Sequence, residues 1–239
     1  MMKKTIITGF ILLMSMFCAG VSQAYMFDDP VGLAWPAQNY DRIGDRIFEI
    51  YGMNITDTGS SFVFDIFTNY PEAGYGCGAW YTRPGDFAID LNGDFIYEYG
   101  IAFSGHDPSI VKGGIYNIDT TINTPGQVRN GWYISNHYAP SSGYVYFKNQ
   151  VVQIANGTWI DDTTVTWNSN GANPDWRINF ALDKSDVPES INGKVNFFYA
   201  AATCSNDYIK GSVTVTPEPA TLSLLGLGLF GLAGFRRRS

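Results

Sequence analysis

Gly85-Asp86-Phe87-Ala88-Ile89-Asp90-Leu91-Asn92-Gly93-Asp94-Phe95-Ile96-Tyr97-Glu98-Tyr99-Gly100-Ile101-Ala102-Phe103 alternates side-chain character with a period of two, the period of a strand and not of a helix. Phe87, Ile89 and Leu91 fall on one face before Asn92-Gly93, and Phe95, Tyr97, Tyr99 and Ile101 on one face after it. The stretch therefore reads as a hairpin, and its loop length decides which faces meet. A two-residue Asn92-Gly93 turn pairs Ile89 with Ile96 and sets an apolar face beside an acidic one. A three-residue loop Leu91-Asn92-Gly93, with Gly93 left-handed, pairs Asp90 with Asp94, Asp86 with Glu98 and Ile89 with Phe95. We expect the second register, because it keeps the apolar residues together. Its consequence is an acidic face whose opposed carboxylates repel.

A hard cation with oxygen ligands would relieve that repulsion, which makes Ca²⁺ the candidate metal and Asp90, Asn92, Asp94 and Glu98 its candidate ligands. Asp90, Asn92 and Asp94 match the first ligands of an EF-hand loop, but Phe95 stands at the glycine position and Ile101 at the bidentate glutamate, so a true EF-hand is excluded. The competing expectation is a solvated acidic face. On that reading, changing Asp90 and Asp94 to Asn relieves repulsion and stabilises the protein slightly.

Working outward, Arg46–Ile55 and Ser61–Thr68 form a second hairpin across Thr56–Ser60, with Phe62, Phe64 and Ile66 on one face. Short β-type runs follow at Ile115–Ile118, Trp132–Ser135, Tyr144–Phe147, Val151–Ala155, Thr163–Trp167, Trp176–Leu182, Val195–Ala202 and Tyr208–Val215. Turn clusters such as Thr124-Pro125-Gly126 separate them. Tyr25–Asp41 reads as a polar and aromatic lead-in. Many short strands, 26 glycines and no helical periodicity predict an all-β domain, a jelly-roll-like β-sandwich, with a barrel as competitor.

Both termini lie outside this domain. Lys3 and Lys4, the apolar run Thr5–Phe17 and Ser22-Gln23-Ala24 form a signal peptide over residues 1–24, cut by signal peptidase before Tyr25. At the other end Pro217, Glu218 and Pro219 precede an apolar run, Ala220–Phe235, closed by Arg236, Arg237 and Arg238. As a helix that run measures about 24 Å, enough to span a thin bilayer, and the arginines favour a cytoplasmic C-terminus. The body is therefore residues 25–216. Losing five basic residues and one acidic residue with the termini takes the net charge from −7 to about −11, which argues against nucleic acid as partner. Cys18 leaves with the signal peptide. Export makes a Cys77–Cys204 disulfide the expectation, worth on the order of 4–5 kcal/mol as a closure of a long loop.

The tail, residues 217–239, resembles the sorting signal of PEP-CTERM proteins: Pro217-Glu218-Pro219-Ala220-Thr221, a Leu/Gly-rich helix, then the arginine cluster. The resemblance implies an exported protein of a Gram-negative bacterium, handled by an exosortase, a membrane transpeptidase, and passing through the inner membrane to the cell surface or extracellular matrix. Asp86–Phe103 and Cys204–Gly211 are also similar to segments of other PEP-CTERM surface proteins, implying a shared β-rich ectodomain.

Enzyme signatures are thin. His106 and His137, the chain's two histidines, fit no zincin pattern and are expected as surface polar residues, and no nucleophile elbow or phosphate loop occurs in context. The expectation is no catalytic site; a glycan-active hydrolase, which needs only two carboxylates, is the alternative. Two further readings remain: a structural or exopolysaccharide-associated surface protein, or a carbohydrate-binding module, with or without a dependence on calcium, that stacks sugars on Trp35, Trp80, Trp132, Trp159, Trp167 or Trp176.

Overall fold

Ser61–Thr68, read as SFVFDIFT, buries Phe62, Phe64 and Ile66 completely and leaves the residues between them half-buried, so the period of two becomes one inward and one outward face. A computed structural model describes residues 22–29, 46–77, 80–138, 145–171, 174–187, 191, 193–204 and 207–215 of the chain. Its strands are β1 (Gln23–Asp28), β2 (Ile50–Asp57), β3 (Ser61–Thr68), β4 (Tyr75–Cys77), β5 (Trp80–Thr82), β6 (Phe87–Asp90), β7 (Tyr99–Ile101) and β8 (Gly114–Ile118). They continue with β9 (Val128–Arg129), β10 (Trp132–Tyr138), β11 (Val145–Ile154), β12 (Gly157–Asp162), β13 (Thr166–Ser169), β14 (Trp176–Asp183), β15 (Gly193–Ala200) and β16 (Tyr208–Val215). A single 3-10 turn, Arg46–Phe48, precedes β2, and no α-helix occurs among the described residues.

The strands form a five-stranded sheet ordered β1-β2-β3-β14-β13, a six-stranded sheet ordered β12-β8-β7-β6-β15-β16, a three-stranded sheet β11-β10-β9 and the pair β4-β5, all antiparallel. The two large sheets meet face to face through their aromatic rings. Phe64 of β3 lies 4.8 Å from Phe87 of β6 and 5.1 Å from Phe197 of β15, and Phe180 of β14 lies 4.9 Å from Phe87. Such edge-to-face pairs add attraction beyond the area they bury.

The six-stranded sheet is also covered on its other face. Ala88, Tyr116, Phe198 and Ala200 pack there with Trp132, Val152 and Ile154 of the three-stranded sheet. Neighbours such as Phe197 and Phe198 point to opposite faces and are both buried, so β15 runs apolar without alternation. Gly100 makes the close approach possible: a Cβ there would lie 2.7 Å from the Trp132 ring and 2.9 Å from Ile154 Cδ1. The layers thus number three where a two-layer domain is expected from alternation alone.

Several expectations are corrected. The β6–β7 register pairs Phe87 with Ile101, Ala88 with Gly100 and Ile89 with Tyr99, so Asp90 is not opposite Asp94, nor Ile89 opposite Phe95. The expected face-sharing of Phe87 and Ile89 survives, since the displacement is an even number of residues, but Phe95 leaves the sheet. β1–β2–β3 and β6–β7–β8 run as meanders within one sheet, so the strand-by-strand exchange between sheets of a jelly roll is not followed. Gln23–Asp28 is a paired strand and not a lead-in, the two runs around Val151 merge into β11, and β12 has no counterpart in the expected set. Most of the signal peptide and the sorting residues Pro217, Glu218, Pro219, Arg236, Arg237 and Arg238 lie outside the described residues, as does the Cys77 side chain on which the disulfide turns.

Candidate functional site: an acidic loop and an exposed tryptophan

Asp90 ends β6, and its buried carboxylate gathers the loop that follows. Oδ1 accepts the backbone N–H groups of Asn92 at 3.0 Å and Gly93 at 2.6 Å; Oδ2 accepts Phe95 N–H at 2.7 Å and the Asn196 side-chain amide at 2.7 Å. Asn92 Oδ1 then accepts Asp94 N–H at 3.0 Å, and Asp94 Oδ1 accepts Ile96 N–H at 2.8 Å. Asp and Asn are the residues whose short side chains turn the backbone in this way. Gly93 takes φ 84° and Phe95 φ 65°, the second in a region that L side chains adopt rarely.

Glu98 closes the loop, with Oε2 accepting Leu91 N–H at 3.3 Å and Oε1 accepting the Asn92 side-chain amide at 2.8 Å. Burial pushes its carboxyl up to about 7; the Leu91 amide and its own amide oppose the rise, and the charges of Asp90 and Asp94 add to it. Asp90, Asp94 and Glu98 offer carboxylate oxygens within 4.8 Å of one another, so the structure brings together three of the expected metal ligands, with Asn92 between them. The four acceptor positions of Asp90 are filled by the four donors above. A cation there would have to draw on Asp94 and Glu98, or displace loop amides from Asp90. The repulsion expected between opposed carboxylates is met by backbone and side-chain N–H groups.

Asp86 is equally buried but elsewhere, at the start of β6. Oδ1 accepts Phe103 N–H at 3.0 Å, Oδ2 accepts Ile154 N–H at 2.9 Å, and His106 Nε2 stands 3.7 Å from Oδ2. Burial raises the Asp86 carboxyl to about 6, opposed by His106. The His106 ring has Nδ1 3.0 Å from Ser104 O and Nε2 2.9 Å from Ile154 O. Both ring nitrogens thus lie against backbone carbonyl oxygens, which only accept. The expectation of a surface residue at His106 is thus corrected: its side chain is 5% exposed. No local pattern in the sequence announces this pair, because its members meet through the packing of β11 on β6. The His137 side chain lies outside the described residues.

The tryptophans divide by burial. Trp132 is fully buried and donates from Nε1 to Tyr97 O at 2.9 Å; Trp167 is half-buried, its ring edge-on to Phe103 at 5.5 Å, and Trp176 is also half-buried. Trp159, on the edge strand β12, is 53% exposed, with Nε1 donating to Asp162 Oδ1 at 3.0 Å. Trp35 and the Trp80 side chain lie outside the described residues.

The described residues form an all-β body, and the sequence after it is an apolar run closed by three arginines. Residues 215–238 match the family model of the PEP-CTERM protein-sorting motif, which implies export to the cell surface or beyond and processing by an exosortase, a membrane enzyme. The match covers the tail and not the body. No curated protein and no solved structure matches the chain.

Proposed function

We propose that the mature protein is a structural, exopolysaccharide-associated component of the cell surface or extracellular matrix. In this reading signal peptidase cuts before Tyr25, the tail holds the chain in the inner membrane for a time, and the exosortase removes Ala220–Ser239. The sorting motif carries the reading. The body supports a structural role: Phe62, Phe64, Phe87, Phe180, Phe197 and Trp132 are spent on two cores, and His106, with both ring nitrogens on carbonyl oxygens, has no free position from which to act as a base. On the same ground we read the protein as non-catalytic. The test is intact mass and location of the protein in cells with and without exosortase. Surface-exposed mature protein that still carries Arg236–Arg238 would sink it.

Trp159 supports a second reading, a carbohydrate-binding module, because an exposed indole held in place by Asp162 offers a flat face for a sugar ring. Saturable retention on a polysaccharide, lost in Trp159→Ala, favours the module; retention unaffected by that change removes Trp159 from it. Calcium dependence would rest on Asp94 and Glu98 beside Asp90, and thermal unfolding in millimolar calcium against chelator decides it: an unchanged melting temperature ends the metal reading.

A further inference from the structure

The chain enters and leaves its body at one end. β16 finishes at Val215, paired with Gly193, and the first residue of the Pro-Glu-Pro motif, Pro217, is two residues on. The start of β1 lies beside it, since Tyr25 Oη donates to Thr214 O at 3.4 Å and Phe27 packs where a Gly211 Cβ would stand. The acidic loop is at this end too. Asp90 pairs with Asn196 on β15, and a Cβ on Gly93 would lie 3.1 Å from Lys194 O. Two apolar side chains of the loop are exposed, Phe95 at 61% and Ile96 at 37%, and the Lys194 ammonium stands over the Phe95 ring, 5.3 Å from its centre.

The distances are short on the scale of a membrane. From Val215 to Ala220, where the apolar run begins, five residues reach about 17 Å at most. The headgroup layer occupies about 5–8 Å of each side of a bilayer. β6 is two strands from β16, a lateral step of about 10 Å. While the tail is in the bilayer, this short connection therefore holds the sheet end that carries Phe95 and Ile96 within reach of the headgroups.

We propose that Phe95 and Ile96 are a membrane-resting tip: before cleavage they insert at the headgroup boundary of the bilayer that holds the tail, with Lys194 reaching the phosphates above them. The inference rests on the tail being membrane-inserted, as argued above. The chemistry of the tip fits a lipid interface, where aromatic rings settle and a lysine stem lies along apolar surface with its charge in water. The exposed carboxylate of Asp94 and the net charge of −7 make the contact apolar in origin and select zwitterionic over anionic lipid. The loop is held in shape by Asp90 through backbone N–H groups, so the tip residues themselves are free of structural duty.

The test uses the full-length chain with the photo-reactive p-benzoylphenylalanine at position 95, reconstituted in vesicles of phosphatidylcholine and phosphatidylethanolamine. Val111, 50% exposed near the opposite end of the six-stranded sheet, carries the probe in a control chain. Lipid-modified peptide from position 95 and several-fold less from position 111 is the expected result. Equal yields, or none at 95, overturn the tip. Alkaline extraction of the unmodified chain separates the two levels: a chain that is extracted overturns the inserted tail as well, whereas an integrated chain without lipid adduct overturns the tip alone. In cells with exosortase, an adduct at 95 to that enzyme in place of lipid also overturns it, by assigning the surface to a protein.

Discussion

Asp90→Asn should destabilise the protein by about 2–5 kcal/mol. The carboxylate accepts four hydrogen bonds from buried or half-buried donors, and an amide offers one oxygen where two stood. Whichever way the new side chain turns, two donors face an NH₂ group, and each buried donor left unsatisfied costs about 1–3 kcal/mol. Asn196 gains nothing by rotating, because its own oxygen accepts Ser212 Oγ at 2.6 Å. Against this stands the relief of repulsion with Asp94 and Glu98, both partly in solvent and so worth about a kcal/mol or less. Urea unfolding of the variant beside the parent protein measures the difference, and Asp94→Asn, which loses one exposed bond to Ile96 N–H, is the matched control within about 1 kcal/mol. A variant as stable as the parent, or more so, refutes the anchoring role of Asp90 and restores the simple picture of an acidic face relieved by neutralisation.

Glu98 sets a pH slope. Its folded carboxyl is raised to about 7 from an unfolded 4.5, so the folded chain keeps a proton that the unfolded chain releases, and the stabilisation present below 4.5 is lost as pH rises through 7. Glu98→Gln should therefore gain on the parent protein across that window, and parallel pH profiles would count against it. Gly100→Ala places a methyl 2.7 Å from the Trp132 ring and should cost about 1–3 kcal/mol by thermal unfolding, with an unchanged melting temperature as the adverse result. Non-reducing peptide mapping of freshly exported protein should recover Cys77 linked to Cys204; two alkylatable thiols would remove the disulfide.

The strands of this chain were legible where one face is wet. Ser61–Thr68 alternates visibly and pairs with β2 as the pattern has it, although β2 runs Ile50–Asp57 and not Arg46–Ile55, since Arg46–Phe48 turns as a 3-10 helix. The β6–β7 register was legible only in parity. Asp90, Asn92 and Asp94 each turn the backbone by accepting the N–H two residues on, at Asn92, Asp94 and Ile96, so a stack of side-chain turns repeats with the same period of two as a strand. Pattern alone does not separate the two. The clustering of Asp90, Asp94 and Glu98 was foreseen on the wrong geometry, as a ladder face, and is produced by a loop. The Asp86–His106 pair was not foreseen, because it depends on Val152 and Ile154 of β11 arriving over β6 from far along the chain. β1 was missed because its first residues carry the small-residue pattern of a cleavage site, which masked the pairing of Met26 with Asn54 and Phe27 with Met53.

A sheet covered on both faces has given up the usual guard against misalignment. In a half-wet strand a slip by one residue throws apolar groups into water, and the error is corrected by solvent. In β15 the same slip exchanges Phe197 for Phe198, oil for oil, and water has no vote. What discriminates is size. The face toward Trp132 sets Ala88, Gly100 and Ala200 among the rings of Tyr116 and Phe198, and the face toward Phe64 presents Phe87, Phe197 and Tyr199. The shelf of small residues leaves no room under the indole for an added carbon at Gly100, so alignment of the central strands is proofread by shape. Enlarging those small residues would therefore act on the choice among alternative pairings as well as on the depth of the native one.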